Sequence, residues 1–248
     1  MPDRNFEWIT FHLLRFSEPT ALANKELAAP PKAGLWQYGV DGADEAGMFG
    51  RASDVWAGIA LYQDAADAEA AISAPEQNLP WLAETVENWH VLLRPTQFRG
   101  ETNWFGGENR QAGYAVSGGS PGAPYAVITT AGYKPLPREA LMADLPRRLD
   151  FARNVENVRA WFASLPGNIA RQAVHFERGM VDGMTFTIWR DRSAMMEAAY
   201  QPGPHRTQID RYKSEGTADR TSFTRARIVK MAGSWNGDWN SDDIVLQR

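Results

Sequence analysis

The stretch DGMTFTIWRDRSAMMEAAYQPGPHRTQIDRYKSE, residues 182–215, decides how the chain is read. Met184, Phe186 and Ile188 alternate with Thr185, Thr187 and Trp189, the period-two pattern of a strand rich in β-branched and aromatic residues, so a strand is expected to end near Arg190. Asp191 or Ser193 can cap the helix that follows, in which Ala194, Met195, Ala198 and Ala199 recur at helical spacing. The run Gln-Pro-Gly-Pro at 201–204 interrupts it. Pro204 suits the first turn of a second helix, because its missing N–H would have had no partner there. His205, Ile209 and Tyr212 then share one face and Arg206, Asp210 and Lys213 another. A lone histidine thus stands at a helix start among apolar neighbours. Taken by itself it is either a partly buried imidazole bonded to a carbonyl or an axial metal ligand, since neutral imidazole on a rigid helix is what a haem iron takes in many proteins.

Working outward, the first half offers strands at Glu7 to Phe16, Gly34 to Val40, Val55 to Tyr62 and Asn88 to Arg94. Ile9, Phe11 and Leu13 lie on one side of the first, with Thr10 and His12 on the other, where His12 reads as half-exposed. Short helices are expected at Thr20 to Leu27 and, capped by Asp64, from Asp64 to Ile72. Thr96 to Gly107 reads as a loop, and Arg110 to Pro124, rich in Gly and Ser, as a linker. Past it the order recurs: a strand at Tyr125 to Thr130, helix formers from Glu139 to Ser164 split by Pro146, a strand at Ala170 to Phe176, the 182–215 unit, and a strand at Ser222 to Lys230.

Asp64 and Glu69 after one strand correspond to Asp191 and Glu197 after another, offset by 127 and 128 residues. Two β-α-β-β-α-β halves, residues 1–118 and 119–248, would each form a ferredoxin-like sheet needing cover on its apolar face. The expected fold is therefore α+β, two tandem ferredoxin-like repeats packed sheet on sheet as an α+β barrel in one chain. Composition alone does not choose this over other α+β layers.

The 248 residues are 44% hydrophobic and 23% charged, ordinary for a globular chain, with ten tryptophans that fill a core or line an apolar cavity. A net charge of −4 with interspersed signs offers no footprint for nucleic acid. With no cysteine there is no disulfide, thiolate ligand, iron–sulfur cluster or cysteine nucleophile, and only four histidines remain as softer ligands. No signal sequence and no membrane-spanning run of about 18 apolar residues is read, so a cytoplasmic address is expected. No H-E-x-x-H, phosphate loop or G-x-S-x-G elbow occurs.

Several short matches point one way: Gly34-Leu-Trp36, Glu87-Asn-Trp89, Arg99-Gly100 with Trp104, above all Thr185-Phe-Thr-Ile-Trp189 with Ala199-Tyr200 and His205, then Phe223, Arg225 and Gly233-Ser-Trp235-Asn-Gly237. Together they resemble the spheroidene monooxygenase family of bacterial carotenoid-oxidising enzymes, from about Gly34 to Gly237. That family is similar in turn to the dimeric α+β barrel superfamily, several members of which hold haem through a histidine on the helix after a central strand. The resemblance implies the two-repeat barrel, and makes His205 the proximal ligand of a haem b iron, with Trp189 and Ile209 beside the cofactor. Trp189 packs on a porphyrin or only on core.

The first-half counterpart of His205 falls near Gln77, and no histidine lies between His12 and His90, so one haem per chain is expected. Arg225 matches an arginine of the family and would be a distal donor to oxygen, or else makes an ordinary ion pair. His175 is a distal acid–base group or an exposed strand residue. The family's threonine-arginine-alanine run is here Thr129-Thr130-Ala131-Gly132, and Gly216 to Arg220 lacks its aromatic and acidic residues, which separates this chain from a carotenoid substrate more than from the fold. The function implied is a haem-dependent monooxygenase oxidising an apolar organic small molecule. The alternatives are a haem dehydratase of the aldoxime-processing kind, a haem-binding or carrier protein without turnover, and an α+β barrel that binds no haem at all. An electron-donor protein and a homo-oligomer are both compatible with this reading.

Overall fold

The computed structural model describes residues 6–20, 35–41, 53–100, 124–175 and 183–236. The strands are β1 (Trp8–Thr20), β2 (Leu35–Asp41), β3 (Ser53–Tyr62), β4 (Thr85–Gly100), β5 (Tyr125–Gly132), β6 (Asn168–His175), β7 (Gly183–Trp189) and β8 (Arg220–Gly233). The helices are α1 (Ala65–Ser73), α2 (Arg138–Ala163), α3 (Arg192–Tyr200) and α4 (Pro204–Glu215), with 3-10 turns at Pro75–Gln77 and Pro80–Glu84. The expected helix at 20–27 and most of the expected linker at 110–124 lie outside the described residues.

The class is α+β, and the strands form one antiparallel sheet curled into a closed barrel in the order β1-β3-β2-β6-β7-β5-β8-β4. Two separate sheets packed face to face are not what forms. The edges that each set of four strands would leave bare are joined, β4 to β8 from Trp89 to Gly100 and β2 to β6 at Val40↔His175 and Asp41↔Val174. Joining them gives every edge a hydrogen-bonding partner, which is the gain over two open sheets. Each set is ordered alike, β4-β1-β3-β2 and β8-β5-β7-β6.

Period-two alternation sends Ile9, Phe11, Leu13, Val91, Ile128, Phe186 and Ile188 into the barrel, which they fill. Phe11 stacks on Phe186 at 4.4 Å between centroids and Trp89 meets the Phe186 ring edge-on at 5.8 Å, so the packed centre ties β1 and β4 to β7.

The outer face of β1, β3 and β4 is covered closely. α1 lays Ala68, Ala71 and Ile72 on Ala60, Tyr62 and Leu92, and the 3-10 turns bring Leu79 and Trp81 onto Leu14, Phe16 and Trp56. Between these clusters lie cross-strand partners His12 and His90, both fully buried, with Nδ1 atoms 2.9 Å apart. His12 is therefore not a half-exposed strand residue: the cover layer that buries Leu14 buries it too. Asn88 Nδ2 donates to Thr85 Oγ1, so its Oδ1 accepts from His90 Nε2 at 3.1 Å. His90 Nδ1 must then accept from His12 Nδ1, and His12 Nε2 accepts from the Thr10 hydroxyl at 3.0 Å. Both rings are neutral in this chain.

Three local expectations are corrected. α2 runs unbroken through Pro146, because the Met142 carbonyl that loses its N–H partner stands on an exposed turn that water reaches. Thr96 to Gly100 are strand, the proline being accommodated by a bulge between Pro95 and Gln97. Asp64 makes no side-chain cap bond, whereas Asp191 Oδ1 accepts from Ala194 N at 2.8 Å.

Burial holds the His90 imidazole down at about 4, and holds His12 well below its ordinary value, with the neighbouring His90 adding to the effect. The unfolded chain takes up protons near the ordinary histidine value of about 6.5 while the folded chain refuses them. Stability is therefore full above that value and falls as pH drops from about 6.5 towards 4. Urea unfolding between pH 6.5 and 5, where few carboxylates titrate, should show this loss, and a His12→Asn/His90→Asn double variant should shed most of the slope.

Candidate functional site

The outer face of β5, β6, β7 and β8 is covered differently. No residue of α2 or α4 is fully buried, so both helices stand off the sheet. A cavity of about 1100 Å³ lies between them and the strands. Its floor follows from the strand register. One row runs Gln97, Arg225, Val127, Thr187, Arg171 across β4, β8, β5, β7 and β6, and the next runs Arg99, Phe223, Thr129, Thr185, Ala173. The roof is an apolar stripe of α2, Leu141, Leu145, Phe151, Val155, Val158 and Phe162, recurring about once per turn. Met195 and Met196 of α3 and Ile209 and Tyr212 of α4 complete the walls.

A roof with no fully buried residue needs other attachments, and they sit at the middle and the end of α2. Near its middle Arg147 pairs with Asp144 and Asp219 at 2.6 and 3.3 Å, and Arg148 lies over the Tyr133 ring at 4.3 Å. Asp150 takes Arg211 of α4 at 2.7 Å. Near its end Phe162 meets Trp189 edge-on at 5.0 Å and lies 5.3 Å from the His205 ring.

His205 occupies the second position of α4, as the sequence predicts, because Gln201 to Gly203 turn the chain between α3 and α4. Its Nδ1 is 3.2 Å from the Ala199 carbonyl. A carbonyl only accepts, so Nδ1 carries the proton and Nε2 presents a lone pair. Burial lowers the affinity of this imidazole for a second proton, the Ala199 bond partly opposing, so the ring stays neutral at ordinary pH. Among the described residues no group of three or more His, Asp or Glu converges to hold a metal ion.

All five residues singled out in the sequence line this one cavity: His205 and Ile209 on α4, Trp189 at the end of β7, Arg225 on β8 and His175 on β6. Trp189 belongs mainly to a packed cluster with Met195 and Ala198 and donates from Nε1 to Thr187 Oγ1 at 3.0 Å. His175 is half-buried opposite Gly183, six residues along β7 from Trp189 and so at the other end of the floor from the His205 corner. Arg225 is not in a surface ion pair: Nη1 donates to Gln97 Oε1 at 2.8 Å and Nη2 to Met196 Sδ at 3.5 Å. Sequence reasoning missed Gln97, Arg171, Met196 and the whole roof. The α2 stripe was legible as helical spacing; the strand residues depended on register.

The charged groups lining the cavity are Arg99, Arg148, Arg159, Arg171, Lys213 and Arg225, and no Asp or Glu is among the described lining residues. Arg148 and Arg159 are answered from outside by Asp144 and Glu156 at 2.8 and 2.7 Å. The site is an apolar slot with a neutral imidazole on α4 and guanidinium groups on both the strand floor and the α2 roof.

No family model matches the chain. It is 27% identical over 194 residues to spheroidene monooxygenase of Rhodobacter capsulatus, covering 78% of this chain and 75% of that protein. Among solved structures, aldoxime dehydratase matches with a TM-score of 0.50 at 10% identity, over 91% of this chain and 82% of that one. The aldoxime dehydratase OxdRE in complex with butyraldoxime matches with the same TM-score and identity, over 91% and 80%. At that identity the likeness is one of fold.

Because the floor is bounded by space rather than by packed side chains, a large residue there has somewhere to go. Thr185→Trp should leave the thermal midpoint close to that of the parent while abolishing uptake of an apolar fluorescent dye. A large fall in the midpoint would mean that the roof closes onto the floor.

Proposed function

We propose that this chain is a haem-dependent monooxygenase that oxidises an apolar organic small molecule, and that its two sets of four strands are tandem ferredoxin-like repeats, of which residues 119–248 carry the site. The observation that carries the reading is the His205 hydrogen bond. A ligating histidine gives its other N–H to a carbonyl or carboxylate, which fixes the tautomer and strengthens the lone pair on the ligating nitrogen. His205 has that arrangement on the wall of an apolar cavity.

The donor set fits haem. A single imidazole suits an ion that brings its own equatorial ligands, which is what a macrocycle supplies. The cavity of about 1100 Å³ is at the upper edge of the roughly 300–1000 Å³ usual for one ligand, so it has room for a flat cofactor and a substrate together. His205 would hold the iron through Nε2, with Ile209 and Trp189 against the ring. When bound, haem supplies the redox chemistry that activation of dioxygen requires. The similarity to spheroidene monooxygenase supports the oxidative reading, and the like order of the two strand sets supports the repeat.

The chain's own residues then have separate tasks. The α2 stripe with Phe223, Val127 and Ala173 holds an apolar substrate and excludes water. Arg225, on the β8 floor of the cavity, donates to oxygen on which negative charge develops, and in a dry site such a donor acts with little screening. His175 is the second candidate for proton transfer, at the other end of the floor.

The purified protein should show a Soret band near 400 nm, the usual haem region. His205→Ala should abolish it, whereas full haem occupancy in that variant would sink the site assignment. Arg225→Ala should keep haem and fold but lose turnover by roughly a hundredfold, or about 3 kcal/mol, the loss typical of one preorganised donor. Arg225→Lys should recover little, since a mobile ammonium does not reproduce a planar fork. Turnover that continues without dioxygen or an electron supply would move the reading to a dehydratase.

A further inference from the structure

We infer that Gln97 is a positioning residue that aims Arg225 into the cavity while leaving its charge uncancelled, so that the cavity selects an apolar ligand bearing a carboxylate at that corner. The inference deepens the proposed function by giving the ligand its polarity, and it holds with or without haem.

Strand β4 sends Trp89, Val91 and Leu93 into the barrel, but beyond the bulge between Pro95 and Gln97 it is Phe98 that points inward. One inserted residue exchanges the two faces of a strand. Gln97 and Arg99, which an unbroken strand would send into the barrel, therefore lie on the cavity wall. The register places Gln97 directly opposite Arg225, where its Oε1 accepts from Nη1 at 2.8 Å, while Met196 Sδ accepts from Nη2 at 3.5 Å. The guanidinium is thus held at two points by neutral groups.

Neutrality is the informative part. Arg148 and Arg159, which also reach the cavity, are each answered by a carboxylate on their own helix. Arg225 is answered by an amide. Arg99, exposed and diagonal to it across β4 and β8, brings a second guanidinium to the same margin. A ligand carboxylate is the group that fits a planar fork. It belongs either to the substrate, which leaves Arg225 beside the oxidised end of the ligand, or to a tetrapyrrole, in which case Arg225 anchors the cofactor in place of acting on oxygen.

The test uses the full chain as purified, with parent, Gln97→Glu, Gln97→Leu and Arg225→Gln compared in dye displacement by laurate and by 1-dodecanol, and in binding of protoporphyrin IX and its dimethyl ester. Gln97→Glu is isosteric and changes only the charge, so thermal midpoints should stay close together. The acid of at least one pair should bind Gln97→Glu and Arg225→Gln about tenfold or more weakly than parent, the factor carried by one charge-assisted hydrogen bond, while its neutral counterpart binds all variants alike. Gln97→Leu, which keeps the charge and loses the aim, should fall between. A loss confined to laurate assigns the corner to the substrate, and one confined to the porphyrin diacid assigns it to the tetrapyrrole. Equal binding of both acids to parent and Gln97→Glu, or no preference for either acid in the parent, would overturn the inference. If Gln97→Glu does not fold, equal binding of both acids to parent, Gln97→Leu and Arg225→Gln overturns it instead. A parent that prefers the acids but takes up no haem keeps this inference and removes the haem reading.

Discussion

A closed antiparallel barrel fills its own interior but leaves an outer face to be covered, and how that face is covered determines everything else in this chain. Inside, Phe11, Trp89 and Phe186 interlock and leave no room for chemistry. Outside, the strands still carry Leu14, Trp56, Trp189 and Phe223, which water would meet if nothing lay over them. Over the first set of strands a short α1 and two 3-10 turns lie flat, and the layer is dense enough to bury two histidines as neutral rings. Over the second set a 26-residue α2 is held at its middle and its end and has no fully buried residue. Among the described residues, a packed layer and a slot thus form on a common strand order.

That difference places the described cavity over the second set of strands. The region following α1 holds Pro75–Gln77 and Pro80–Glu84, whose Leu79 and Trp81 are pressed into the sheet. The corresponding region after α3 is α4, which turns His205 and Ile209 towards open space. A histidine near Gln77 would have been on a turn with no slot beneath it. His12 and His90 show the other fate of an imidazole on this barrel, bonded to one another and to Thr10 and Asn88 in a chain that leaves no lone pair over.

Much of the site was legible in the sequence because it rests on local pattern. The alternation from Met184 to Trp189, the Asp191 cap and Pro204 at a helix start place His205 with no knowledge of the rest of the chain. Arg225 and His175 could be placed on strands by the same alternation. Other features depend on contacts remote in sequence. The burial of His12 is set by Leu79 and Trp81, some seventy residues on. The facing of Gln97 is set by a bulge that period-two counting misreads by one residue, which inverts the side. Closure into a single barrel is set by the β4–β8 and β2–β6 edges, and nothing in either strand's own pattern says what lies beside it.

The β4–β8 edge also makes the site a joint property of both halves. Arg225 belongs to the second set of strands, yet the acceptor that fixes its guanidinium comes from the last strand of the first set, after a bulge that gives up a residue of regular pairing. His205 depends in the same way on α3, since the carbonyl that fixes its tautomer is that of Ala199, and α3 also supplies Met196 to Arg225. One short helix therefore touches both the imidazole and the guanidinium, and the cap at Asp191 that starts α3 sets where both stand. Two walls that could otherwise shift independently are registered to each other through nine residues of helix, so the distance between lone pair and donor is a property of the fold rather than of loops.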